Sequence, residues 1–163
     1  MVRFALLAAI LFVADVVLDL APNVELVSML IMVYTLTYRG RALIPLYVYV
    51  LLNGALYGFS LYNLSYLYIW LILWGVTMLL PRRMPAAVAV PVCAGVCALF
   101  GLSFGALYAP GWMLVAKLNL EKIVAWWLAG LSFDVIHAAG NAAFGLLVWP
   151  LYKTLSHIER RFS

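Results

Sequence analysis

Residues 132–150 read SFDVIHAAGNAAFGLLVWP, a stretch near the ~20 residues that cross a bilayer as a helix, yet carrying Asp134, His137 and Asn141. At ~100° per residue these three side chains and Gly145 fall inside a wedge of roughly 80°, and the other faces stay apolar. Ionisable groups in such a helix are expensive, and they face a cavity or a partner. The polar stripe is where function is expected. The apolar remainder sets the fold.

The rest of the chain follows the same rule. Of 163 residues 68% are hydrophobic and 10% charged, and mean hydropathy is +1.10, too little polar surface to wrap a soluble globule. The lipid bilayer is thus the first expected partner. Lys and Arg number 10 against 6 Asp and Glu, a formal charge of +4, but in such a chain the placement of basic residues matters more than their sum. Nucleic-acid binding is not implied. Cys93 and Cys97 lie one helical turn apart without further ligands nearby, which reads as packing and not as a disulfide or a metal site.

Apolar runs between breaker and charge clusters predict an all-α integral membrane protein, a single compact bundle of six transmembrane helices. The expected spans are about 3–20, 24–38, 42–59, 62–80, 86–108 and 132–155. An outer connection over about 109–131 holds Trp112, Trp126 and Trp127, with an interfacial helix over its second part. That connection is either a belt anchor or a lid over an outward pocket. The first span resembles a signal peptide, but Asp15 and Asp19 lie within it and another apolar run follows at once, so it reads as retained. Arg3, Arg39, Arg41, Arg82, Arg83, Lys153, Arg160 and Arg161 share one side of this arrangement, against Lys117 and Lys122 on the other, which predicts both termini cytoplasmic. Five of the six acids gather on the outer side.

Within the fourth span Tyr62, Tyr66, Trp70 and Trp74 recur every four residues, a stripe suited to helix packing or, at its outer end with Asn63, to stacking a ring-bearing solute. Gly54 with Gly58 and Gly101 with Gly105 have the spacing that lets helices approach closely. Ala5 and Ala9 repeat that spacing near the cytoplasmic end, a small-residue face suited to a partner's helices. Ser132 reads as a helix N-cap, with Asp134 near the helix start either balancing the helix dipole or meeting a ligand. Asp15 has two readings as well, facing solute or pairing with His137.

Together, the alanine pair, PNVEL (22–26), GALYG (54–58) and above all FDVIHAAGN (133–141) resemble the membrane substrate-binding subunit, the S component, of energy-coupling factor (ECF) transporters. The resemblance implies a multi-pass protein of a prokaryotic plasma membrane that captures a vitamin or related micronutrient from outside. It implies a transmembrane coupling subunit and two ABC-type ATPases as partners, with no cofactor and no metal. The family's Ala-x-x-x-Ala contact motif maps onto Ala5 and Ala9, with Ala8 adjoining. The implied solute site gathers Asp19, Asn23, Glu25, Asn63, Tyr66, Trp70, Asp134, His137 and Asn141. No substrate subgroup is indicated.

The chain has no Gly-x-x-x-x-Gly-Lys-Ser/Thr loop, so energy for active transport comes from elsewhere, and no nucleophile is placed beside Asp134 and His137; an enzyme is not expected. Two other classes share the six-span pattern. One is an MreD-like structural scaffold of cell-wall elongation, using the alanine and glycine faces for protein contacts alone. The other is a stand-alone proton-linked carrier with Asp134 and His137 as a relay.

Overall fold

Apolar runs with few side-chain donors and acceptors leave the backbone to satisfy its own polar groups, and helices do this within one segment. The computed structural model describes residues 2–18 and 23–161, the side chains of 61 and 62 excepted, and these residues are helical with no strand. In chain order they form α1 (Val2–Leu18), α2 (Val27–Tyr38), a 3-10 turn (Arg39–Ala42), α3 (Leu43–Tyr57), α4 (Leu61–Met78), α5 (Ala86–Ala116), α6 (Leu120–Gly145) and α7 (Val148–Arg161).

The short helix α2 is the centre of the bundle. From Val27 to Leu36 every side chain is buried except half-buried Leu30, because α1, α4, α6 and α7 all touch it. Around this axis α1 lies on α3, α4 bridges α3 and α5, and the most extensive contact joins α5 to α6. Outward faces carry exposed aliphatic residues, among them Leu6 and Val13 on α1, Leu51 on α3, Leu99 on α5 and Ile136 on α6. Helices α5 and α6 are each long and apolar enough to cross a membrane.

Helices α1 to α4 occupy the first four segments read from the sequence, whereas α5 and α6 depart from it. The connection expected over 109–131 is helix except at 117–119, where Lys117 adopts a left-handed conformation (φ 49°) and Asn119 caps α6 by accepting from the Lys122 N–H at 3.0 Å. Ala109-Pro110-Gly111 is not a helix end. Proline removes one N–H donor, and the flanking run offers almost no side-chain partners for a backbone that left the helix. The segment expected over 132–155 is instead divided at Leu146-Leu147. Pro150 has no N–H to give the Leu146 carbonyl and stands in the first turn of α7, where that donor is not needed, although α5 runs through Pro91 and Pro110. Asp134 therefore lies mid-helix, and Ser132 is not a cap.

Glycine explains the tightest contacts. A Cβ at Gly145 would lie 2.7 Å from Ala94 Cα and 3.0 Å from Cys97 Cβ, and one at Gly101 3.0 Å from the Ala138 backbone nitrogen. A Cβ at Gly54 would meet the Phe59 ring at 2.5 Å, whereas Gly58 meets nothing and instead takes φ 92° where α3 ends. The spacing of Gly54 and Gly58 thus serves one contact and one turn. The cysteines are free and buried on α5, with Cys97 Sγ 3.2 Å from Met32 Sδ of α2.

Gly145→Ala should destabilise the protein by roughly 1–3 kcal/mol through overpacking against backbone. Gly95→Ala, on α5 with open space around it, should be neutral or slightly stabilising. Thermal melting of the two variants in the same detergent checks the contrast, and equal melting temperatures would contradict the contact.

Candidate functional site

The site grows from the way α5 and α6 meet. Small residues bring the helices together from Ala94 and Gly145 up to Gly105, where a Cβ would strike Asp134 Oδ2 at 2.6 Å. Beyond that level the facing surfaces carry large aromatic residues as well as Gly130, and Trp112 of α5 meets Trp126 of α6 with ring centroids 6.1 Å apart. Between these arms lies a pocket of about 310 Å³. Phe104, Gly105, Tyr108 and Trp112 line it from α5; Trp126, Trp127, Gly130, Phe133 and Asp134 line it from α6; Asn23 lines it from the connection before α2. Asn23 holds φ 61°, a left-handed conformation that Asn tolerates better than most residues.

Asp134 is the polar centre of this pocket. It is 6% exposed, and its two oxygens accept from the Gly105 backbone N–H at 3.0 Å and from Trp127 Nε1 at 3.2 Å. The indole is thus held by its edge while its ring lines the cavity.

One turn deeper a second polar group sits behind Phe104, whose ring meets His137 edge-on with centroids 4.7 Å apart. His137 Nε2 lies 3.2 Å from Glu25 Oε1. Since a carboxylate only accepts, that nitrogen carries the proton. Glu25 also accepts from the Ser28 N–H at 2.8 Å and from the Ser28 hydroxyl, which caps the start of α2. Asn141 Nδ2 donates to Ser28 Oγ at 3.3 Å, completing a chain that fastens α6 to α2. Its Oδ1 is buried with no hydrogen-bond partner among the described residues.

A third network lies between α1, α3 and α4. Asn53 donates to Asp15 at 2.7 Å, and Asn63 donates to the Val50 carbonyl at 3.0 Å and to Asn53 Oδ1 at 3.4 Å. Asp15 thus accepts from Asn53, a partner that neither expected alternative, solute or His137, included. Tyr66 and Trp70 are buried in an aromatic core with Tyr49, Phe100 and Phe104; they do not line the pocket themselves but back its Tyr108 and Phe104 walls. The buried Trp70 Nε1 has no hydrogen-bond partner among the described residues.

The residues expected to form one solute site are thus divided. Asn23 and Asp134 line the pocket; Glu25, His137 and Asn141 form the chain behind it; Asn63 belongs to the third network and Tyr66 and Trp70 to the core. Asp19 lies outside the described residues. Asp134 and His137 hold different partners and not each other. On α1, Ala5 and Ala9 are exposed, but Ala8 is 0% exposed and turns into the bundle, so it is not part of an outward face with them. Sequence reasoning missed Phe104, Tyr108 and Phe133 on the pocket and Ser28 in the chain. The available signal was spacing: Phe104 and Tyr108 repeat at i, i+4, and Phe133 neighbours Asp134.

No protein-family model, no curated protein and no solved structure matches the chain.

The Glu25–His137 contact should behave as a coupled pair. Glu25→Gln and His137→Leu should each destabilise the protein by roughly 1–3 kcal/mol, because each leaves a buried partner unsatisfied. The double variant should cost less than the sum. A double-mutant cycle from unfolding in mixed micelles checks this, and strict additivity would contradict the contact.

Proposed function

We propose that this protein is the solute-binding membrane subunit of an importer of the energy-coupling factor type. One observation carries the reading: a pocket of about 310 Å³, at the small end of ordinary ligand sites, walled by tryptophans and centred on a buried carboxylate. Pockets that hold small solutes combine an apolar lining with a few placed polar groups, and Asp134 and Asn23 are those groups here.

A bilayer setting is supported by the aliphatic residues on the outer faces of several helices and by the length and apolarity of α5 and α6. In this reading the chain is multi-pass, in a prokaryotic plasma membrane. Arg82, Arg83, Lys153 and Arg160 line one groove, and Arg3 pairs with Glu159, so these basic residues converge from both ends of the chain. That end is assigned to the cytoplasm, together with both termini. The pocket, in the opposite halves of α5 and α6, then opens outward.

Solute enters between the arms of the α5–α6 hairpin, stacks on the rings and is held by Asp134. The subunit then reorients under a coupling subunit that two ABC-type ATPases drive. The exposed Ala5 and Ala9 offer a flat stretch of α1 on which another helix can close in.

Calorimetry of the protein in nanodiscs against a panel of vitamins and precursors should find a saturable binder. Trp127→Ala and Asp134→Ala should weaken it about tenfold or more, as expected for central anchors. Ala5→Leu with Ala9→Leu should abolish co-purification of the coupling subunit and ATPases while solute binding persists. Absence of saturable binding across the panel, or capture of wall-synthesis proteins in place of ATPases, would favour the scaffold reading. Uptake that survives loss of the ATPases and collapses with the proton gradient would favour the stand-alone carrier.

A further inference from the structure

We infer that the solute taken by the α5–α6 pocket is an organic cation. This narrows the proposed solute site to a ligand class and rests on that site being real.

The argument starts from charge. Asp134 is almost wholly buried, and the two hydrogen bonds it accepts come from neutral donors, a backbone N–H and an indole N–H. Arg3 pairs with Glu159 and His137 contacts Glu25, and neither contact involves Asp134. Helix α5 contains no Lys or Arg, and the one on α6, Lys122, is exposed in its first turn, about three turns before Asp134. A carboxylate offers about four acceptor positions, and the two bonds leave others for a guest. Burying a carboxylate in charged form without a counter-charge is costly, and a cationic guest in the cavity that Asp134 lines would supply one.

The remaining walls suit the same guest. Phe104, Tyr108, Trp112, Trp126, Trp127 and Phe133 supply the rings, whose faces attract cations. A bare metal ion does not fit, because one carboxylate among rings cannot provide the several oxygen ligands that hard cations require. An anion would meet Asp134 head-on. A neutral ring compound would gain stacking but leave the carboxylate uncompensated. A flat or quaternary organic cation satisfies both features, and the volume of about 310 Å³ suits one or two rings.

A charge series on one ring tests this: 1-methylnicotinamide (cation), nicotinamide (neutral) and nicotinate (anion), measured by equilibrium dialysis with the full chain in nanodiscs. The cation should bind saturably and about tenfold or more tighter than nicotinamide, with nicotinate weakest. In Asp134→Asn the preference should shrink to about twofold or less, with thermal melting confirming that the variant is folded. Should that variant not fold, Trp126→Leu keeps the charge and removes a ring, and it should weaken the cation more than nicotinamide. Equal binding of cation and neutral compound, unchanged in Asp134→Asn, would overturn the cation assignment while leaving the solute pocket standing. No binding by any of the three would also overturn it, and the vitamin panel would then decide the pocket separately.

Discussion

The close approach of α5 and α6, with Asp134 seated against the backbone of Gly105, is the contact on which the rest of the site depends. Any side chain at 105 would occupy the space of the carboxylate, and any at 145 would strike α5 backbone. With the helices held together at this level, the aromatic residues above it have to share the gap. Their bulk leaves room at one end of a hairpin that is tight at the other. The pocket lies where aromatic residues of the two helices face each other, with Gly105 and Gly130 among them.

Below the pocket the same helix uses polar residues to fasten itself to the centre of the bundle. Glu25 holds three donors, two from Ser28 at the start of α2 and one from His137 of α6. A network of this kind is stabilising only when its members are satisfied, and here one acceptor, Asn141 Oδ1, has no partner among the described residues. Phe104 separates this chain from the cavity by touching His137 on one side and lining the pocket on the other. A guest that displaced the Phe104 ring would therefore press directly on the fastening between α6 and α2. That gives the proposed reorientation of the subunit a physical starting point.

The distribution of polar groups also explains how a chain so poor in charge folds to one arrangement. Apolar packing against α2 is non-directional and would accept several helix registers. The three polar groups are directional: Asp15–Asn53–Asn63 sets α1, α3 and α4, Glu25–Ser28–His137–Asn141 sets α2 against α6, and Gly105–Asp134–Trp127 sets α5 against α6. Each lies where a misplaced helix would leave a buried polar atom without a partner.

Helical class, the apolar outward faces and the polar stripe of Asp134, His137 and Asn141, all buried, were legible in the sequence, because composition and a 3.6-residue period are local properties. Local punctuation misled at Ala109-Pro110-Gly111, where an apolar run without outside partners kept its helix, and within 132–155, where the helix is divided at Leu146-Leu147 ahead of Pro150. The site was legible only as a set of polar residues that need company. Which company each keeps is a matter of helix rotation and depth, and these are decided by glycine contacts between segments distant in the chain. Thus Asp134 faces a cavity while His137, one turn deeper on the same stripe, faces Glu25, a separation that no spacing rule contains.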